Sequence, residues 1–153
     1  MDEELLESAI RVGHELFLVT NDMMEAPISR LGLTQATAAA LAGIDPSEDP
    51  PASMKTLSRR LHCNASSVTF LIDQLRDRGL VERVPAATDG RQRAAVLTAE
   101  GHRVRAEVLQ IARAESPLSF LAPVDVATVE RLLRAALEAR ASRGPATNHA
   151  HPS

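Results

Sequence analysis

Apolar residues recur at helical spacing over the first 24 positions, at Leu5, Leu6, Ala9, Ile10, Gly13, Leu16, Phe17 and Met24, with Val12, Val19 and Met23 widening the stripe. The pattern predicts a helix with more apolar surface than one partner within the chain can cover. Pro27 and Gly32 punctuate it, and Thr34 is placed to cap a short alanine-rich helix that runs to about Ala42 and stops at Gly43. After the Pro- and acid-rich loop IDPSEDPPA (44–52), Ser53 caps a helix with Met54, Leu57 and Leu61 at its core positions. Cys63 closes a tight turn, and Asn64 is a good cap for the next helix, whose inward face is Val68, Leu71, Ile72 and Leu75. From Val81 the pattern turns to a short strand, a polar turn from Ala86 to Gln92, and a second strand ending at Leu97, which together predict a hairpin. Thr98 then caps a long helix with Val104, Val108, Ile111 and Ala112 on one face. Pro117 interrupts it, and Pro123 opens a last helix carrying Val126, Val129, Leu132, Leu133, Ala136 and Leu137.

Assembled, these elements predict a mainly α fold with a small β-wing: a winged helix-turn-helix lobe over 34–97, flanked by apolar helices at 5–30 and 98–140. The wide apolar stripes of the flanking helices ask for a second copy of the chain, so they are read as dimerisation helices. The whole reads as a single domain over 1–140, followed by a tail, 141–153, expected to be disordered.

Composition narrows the function. With 153 residues, 44% hydrophobic and 24% charged, the chain is an ordinary globular domain. No apolar run approaches the roughly 18 residues of a membrane span, and the acidic start (Asp2, Glu3, Glu4) is the opposite of a signal peptide's basic one, so a cytoplasmic protein is expected. One cysteine, Cys63, excludes an internal disulfide and a CxxC motif. Aromatic residues are 2% of the chain, with no Trp or Tyr, which excludes stacking platforms for single-stranded nucleic acid or sugars. The formal charge of -3 hides an asymmetry: residues 53–105 carry a net +5 and the rest -8. A basic centre in an acidic chain is the electrostatic footprint of a polyanion-binding segment.

The chemistry sits in that centre. A helix whose first turns expose Asn64, Ser66, Ser67 and Thr69 offers small hydrogen-bonding groups and a positive helix end to a DNA major groove and its phosphates. Arg91 and Arg93, on a projecting hairpin, suit the narrow, negative minor groove. Plainer readings stand beside these: Asn64 as a cap, the serines as first-turn residues. Arg76, Arg78 and Arg83 are either phosphate contacts or surface partners of Asp73, Asp77 and Glu82.

The turn and helix CNASSVTFLIDQLRDRGLVER and the wing TDGRQRAAVLTAEG resemble the MarR family of bacterial transcriptional regulators, whose wing carries an acidic residue, an Arg two places on, and Leu-Thr followed by a Gly. The flanking helices agree, so the resemblance covers roughly residues 5 to 140. It implies an obligate homodimer, interlocked through the terminal helices, that sets two winged lobes on a pseudo-palindromic site in double-stranded DNA. Carried over by position, Arg91 enters the minor groove while Asp89 holds its guanidinium, and Ser66, Ser67 and Thr69 face the major groove. Phe70 stands where family members often carry a guanine-reading Arg, and is expected to touch a thymine methyl instead. Gly90 stands where many have a second wing Arg, which leaves Arg93 as its substitute.

Family members generally release DNA on binding a small, often anionic or phenolic effector, or on cysteine oxidation. His14, Phe17 and Met24 are the candidate lining of an effector pocket, and Cys63 reads as an inward structural thiol with a redox sensor as the alternative. The five histidines show no metal spacing, and no Gly-rich phosphate loop, nucleophile elbow or HExxH motif appears; no enzyme activity, cofactor or metal is expected. The sequence thus predicts a homodimeric repressor released from its operator by a small molecule. The alternatives are a winged-helix dimer serving as a protein-interaction module, and a cysteine-based redox regulator.

Overall fold

A computed structural model describes residues 2–86 and 91–143. The chain divides into two compact units, Met1–Ser116 and Pro117–Ser153. Asp89 and Gly90 of the wing, the tail 144–153, and with it His149 and His151, lie outside the described residues.

The first unit begins with helix α1, Glu3–Arg30, whose first turn is closed by the Asp2 carboxylate accepting from the Leu5 N–H at 3.3 Å. Pro27 does not end this helix, contrary to the expectation that it would punctuate it. It sits in the last turn, where a proline removes a single backbone donor. The chain turns at Gly32, where φ is +69°, and the Leu33 N–H reaches back to the Ile28 carbonyl at 3.3 Å. Helix α2, Gln35–Ala42, follows with the expected Thr34 cap, which accepts from the Thr37 N–H at 3.1 Å while Thr37 Oγ1 accepts from the Thr34 N–H at 2.9 Å.

Helix α3, Met54–Arg60, is capped by Ser53, and helix α4, Ala65–Asp77, by Asn64. Between them His62 takes a left-handed conformation (φ 49°), and Ser58 fastens the turn at both ends of its backbone: its hydroxyl donates to the Cys63 carbonyl at 2.6 Å, and its carbonyl accepts the Cys63 N–H at 3.1 Å. Strands β1, Val81–Pro85, and β2, Arg93–Leu97, pair antiparallel with Val81 opposite Leu97 and Pro85 opposite Arg93. Helix α5, Ala99–Glu115, starts at Thr98, whose hydroxyl accepts from the Gly101 N–H and donates to the Gly79 carbonyl at 2.6 Å.

The core is aliphatic, as the composition requires. Ile28, Leu41, Leu57, Val68, Ile72, Leu75 and Val81 are its largest fully buried side chains, drawn from α1, α2, α3, α4 and β1. Leu71, expected among the inward residues of α4, is only half-buried. The second unit holds a 3-10 turn at Pro117–Phe120 and helix α6, Pro123–Ser142, which runs two residues past the expected boundary at 140. No α6 residue is buried.

Candidate nucleic-acid interface

Helix α4 presents its polar residues outward because its apolar ones are committed inward: Val68, Ile72 and Leu75 are buried at three- and four-residue spacing. That leaves Ser66, Ser67, Thr69 and Phe70 exposed over the first two turns. Asn64 acts as a cap, its Oδ1 accepting from the Ser67 N–H at 2.8 Å. Phe70 is 62% exposed, an unusual position for an aromatic ring. With Ser67, Leu71, half-buried Cys63, Leu61, Ala36 and Ala39 it lines an apolar cavity of about 380 Å³ between α2 and α4.

Strand β1 of the hairpin packs against α4. Ala94 and Ala95 on β2 are buried, whereas Arg93 at its start and Arg91 in the turn are exposed. The three helix-side arginines turn out to have structural partners. Arg76 pairs with Asp73 at 2.9 Å and with Asp77 at 3.1 Å. Arg83 pairs with Asp73 at 2.8 Å, not with Glu82, and donates to the Thr69 carbonyl at 3.3 Å. Arg78 meets no carboxylate among the described residues; its guanidinium donates to the carbonyls of Gly32 and Leu31, the latter at 2.8 Å, at the C-terminal end of α1.

Other cations of the basic centre are also occupied. Arg60 forms a two-pronged pair with Glu48 at 2.7 and 2.9 Å, and that hydrogen bonding raises its pKa above the ordinary guanidinium value. Arg103 lies between Glu100 and Glu107, and its hydrogen bonds hold the Glu100 carboxyl below the usual carboxylate pKa. Lys55, Arg59 and Arg93 enter no ion pair among the described residues. Lys55 and Arg59 on α3 and Arg93 on the wing thus add to Arg78 and Arg105, which bond backbone carbonyls, as cations with no carboxylate partner among the described residues.

The candidate effector residues are not gathered. His14 and Phe17 are exposed on α1, and Met24 packs against the core. The cleft of about 530 Å³ beside the C-terminal half of α1 is lined by Asn21, Asp22, Glu25, Ile28, Ser29, Leu33, Thr34 and Gln35, and by none of those three. Among the described residues no group of His, Cys, Asp and Glu is arranged to hold a metal ion, and no helix is long and apolar enough to cross a membrane.

Residues 31–92, which hold the turn, α4 and β1, match the family model described as MarR family. This segment is similar to the MarR family. Solved MarR-family regulators have a similar fold. The MarR-family regulator AbsC from Streptomyces coelicolor superposes with a TM-score of 0.75 at 23% identity, covering 93% of this chain and 97% of its own. Sco3205 from the same organism, a MarR-family regulator solved in complex with DNA, gives a TM-score of 0.72 at 20% identity over 99% of this chain and 94% of that one. CouR from Rhodococcus jostii RHA1, solved with p-coumaroyl-CoA bound, gives 0.65 at 21% identity over 87% and 90%. No match was found among curated proteins.

Proposed function

We propose that the protein is a sequence-specific DNA-binding transcriptional regulator, a homodimeric repressor that a small-molecule effector releases from a pseudo-palindromic operator. The observation that carries this reading is the pairing of an exposed, mostly polar turn on α4 (Ser66, Ser67, Thr69, Phe70) with a hairpin that bears exposed Arg91 and Arg93. A helix of this kind fits a major groove while the hairpin arginines reach the adjacent minor groove. Sco3205, solved on DNA, and CouR, solved with an acyl-CoA ester, support DNA as partner and a small molecule as effector.

Dimerisation is supported by apolar surface left uncovered on the terminal helices. On α1, Leu5, Leu6, Ile10, Val12, Phe17, Leu18 and Val19 are exposed, and on α6, Val124, Val126, Leu132, Leu133 and Leu137. So much apolar surface on one chain supports an interface with a second copy. A dimer also places two α4 helices for two half-sites about one helical turn apart.

Selection of bound duplexes from a random pool tests the reading. Enrichment of an inverted repeat with half-sites about 10 bp apart is the expected result. Recovery of no consensus returns the protein to the interaction-module alternative, for which exposed Phe70 would be the anchor.

A further inference from the structure

The Arg83–Asp73 pair joins two elements that DNA recognition uses separately. Arg83 lies on β1, opposite Ala95 of β2, and its side chain crosses to α4, where it meets Asp73 Oδ1 at 2.8 Å and the Thr69 carbonyl at 3.3 Å. Asp73 Oδ1 is shut off from solvent between two guanidiniums, Arg83 on one side and Arg76, at 2.9 Å, on the other. The Arg83 side chain is only 25% exposed and its Nε is buried. A two-stranded hairpin has little stability of its own. Its position relative to α4 depends on what ties the strands to the helix.

We propose that Arg83 and Asp73 are positioning residues that lock the wing to the recognition helix, so that Arg91 and the α4 face engage DNA as one rigid reader. The inference rests on the DNA-binding reading above. It reassigns Arg83, which the sequence allowed as a phosphate contact: its guanidinium is turned into the protein, toward Asp73 and the Thr69 carbonyl. Thr69 is also a candidate base reader, so the strap bears directly on the stretch of α4 that meets the groove.

Charge alone and positioning predict opposite signs for Asp73. Removing an acid from a DNA-binding face reduces repulsion, so on charge grounds Asp73→Asn strengthens binding. As a strap residue, Asp73→Asn weakens it, because the half-buried Arg83 guanidinium loses the charge of its partner. Arg83→Ala is expected to weaken operator binding by a similar factor, about three- to tenfold, with the slope of affinity against salt unchanged. A lost phosphate contact would instead lower that slope by about one per site. A double-mutant cycle supplies the coupling: Arg91→Ala should cost less in the Arg83→Ala background than in wild type.

The experiment is anisotropy on the selected operator and on a random duplex for wild type, Asp73→Asn, Arg83→Ala, Arg91→Ala and the Arg83→Ala/Arg91→Ala double variant. Hydrogen exchange of the DNA-free proteins runs alongside. Faster exchange in β1 and β2 with α4 unchanged, together with weaker operator binding by Asp73→Asn, establishes the strap. Tighter binding by Asp73→Asn, a reduced salt slope in Arg83→Ala, or unaltered exchange in the hairpin of both variants overturns it. Failure of the wild type to prefer any operator overturns the DNA reading instead, and the exchange data then decide the strap alone.

Discussion

At Gly101 the backbone of α5 runs against the Leu80 carbonyl, and a Cβ added there would stand 1.8 Å from that oxygen. Backbone cannot move aside as a flexible side chain would. Gly101→Ala is therefore expected to cost about 2–4 kcal/mol, measured as a lowered urea midpoint with unchanged m-value. Asn64 gives a residue-scale test of a different kind. Its Oδ1 caps α4 through the Ser67 N–H, so Asn64→Ala should cost about 1 kcal/mol of stability. Asn64→Asp should restore the stability while weakening DNA binding, because a carboxylate caps equally well but faces the phosphates. Full DNA affinity in Asn64→Asp would show that this end of α4 lies away from the backbone.

At the scale of elements, α4 is held by Ile72 and Leu75, both fully buried, and α3 by Leu57. Ile72→Ala is expected to destabilise the lobe by about 2–4 kcal/mol, seen by denaturant unfolding, because the aliphatic core has no large ring to collapse into the space. These elements were legible in the sequence because their signals are local. Thr34, Ser53, Asn64 and Thr98 cap the helices they were expected to cap, and the hairpin spans the residues its alternation marks. What the sequence hid depends on distant contacts. Helix α1 continues past Pro27 because Ile28 is buried in the core and Gly32 supplies the turn. Arg83 faces Asp73 across ten residues of chain rather than neighbouring Glu82, since adjacent strand residues point to opposite sides. Arg78 caps α1 from 46 residues away, a contact with no counterpart in spacing. His14, Phe17 and Met24 share a helix but not an environment, since one-dimensional periodicity does not reveal which part of a long stripe the lobe covers.

For the whole molecule, the +5 of residues 53–105 overstates what DNA meets. Arg60, Arg76, Arg83 and Arg103 are engaged with carboxylates, whereas Lys55, Arg59 and Arg93, all described, enter no ion pair among the described residues. Arg93→Ala should thus lower the magnitude of the salt slope, by about two for a dimer that carries the change twice, and Arg103→Ala should leave it unchanged. Equal effects of the two would mean that the ion pairs open on binding. Association is testable without DNA. Sedimentation should give a dimer, and Leu132→Glu on α6 should shift it toward monomer by placing a charge in an apolar face.

The measurement that bears most directly on a winged-helix regulator is fluorescence anisotropy with the intergenic DNA upstream of the protein's own gene, at two salt concentrations, for wild type and Arg91→Ala. The account predicts tight binding that weakens steeply with salt and that the substitution reduces. Wild-type affinity for this DNA no greater than for a random duplex would contradict self-regulation, and equal affinity of Arg91→Ala and wild type would contradict the role given to the wing.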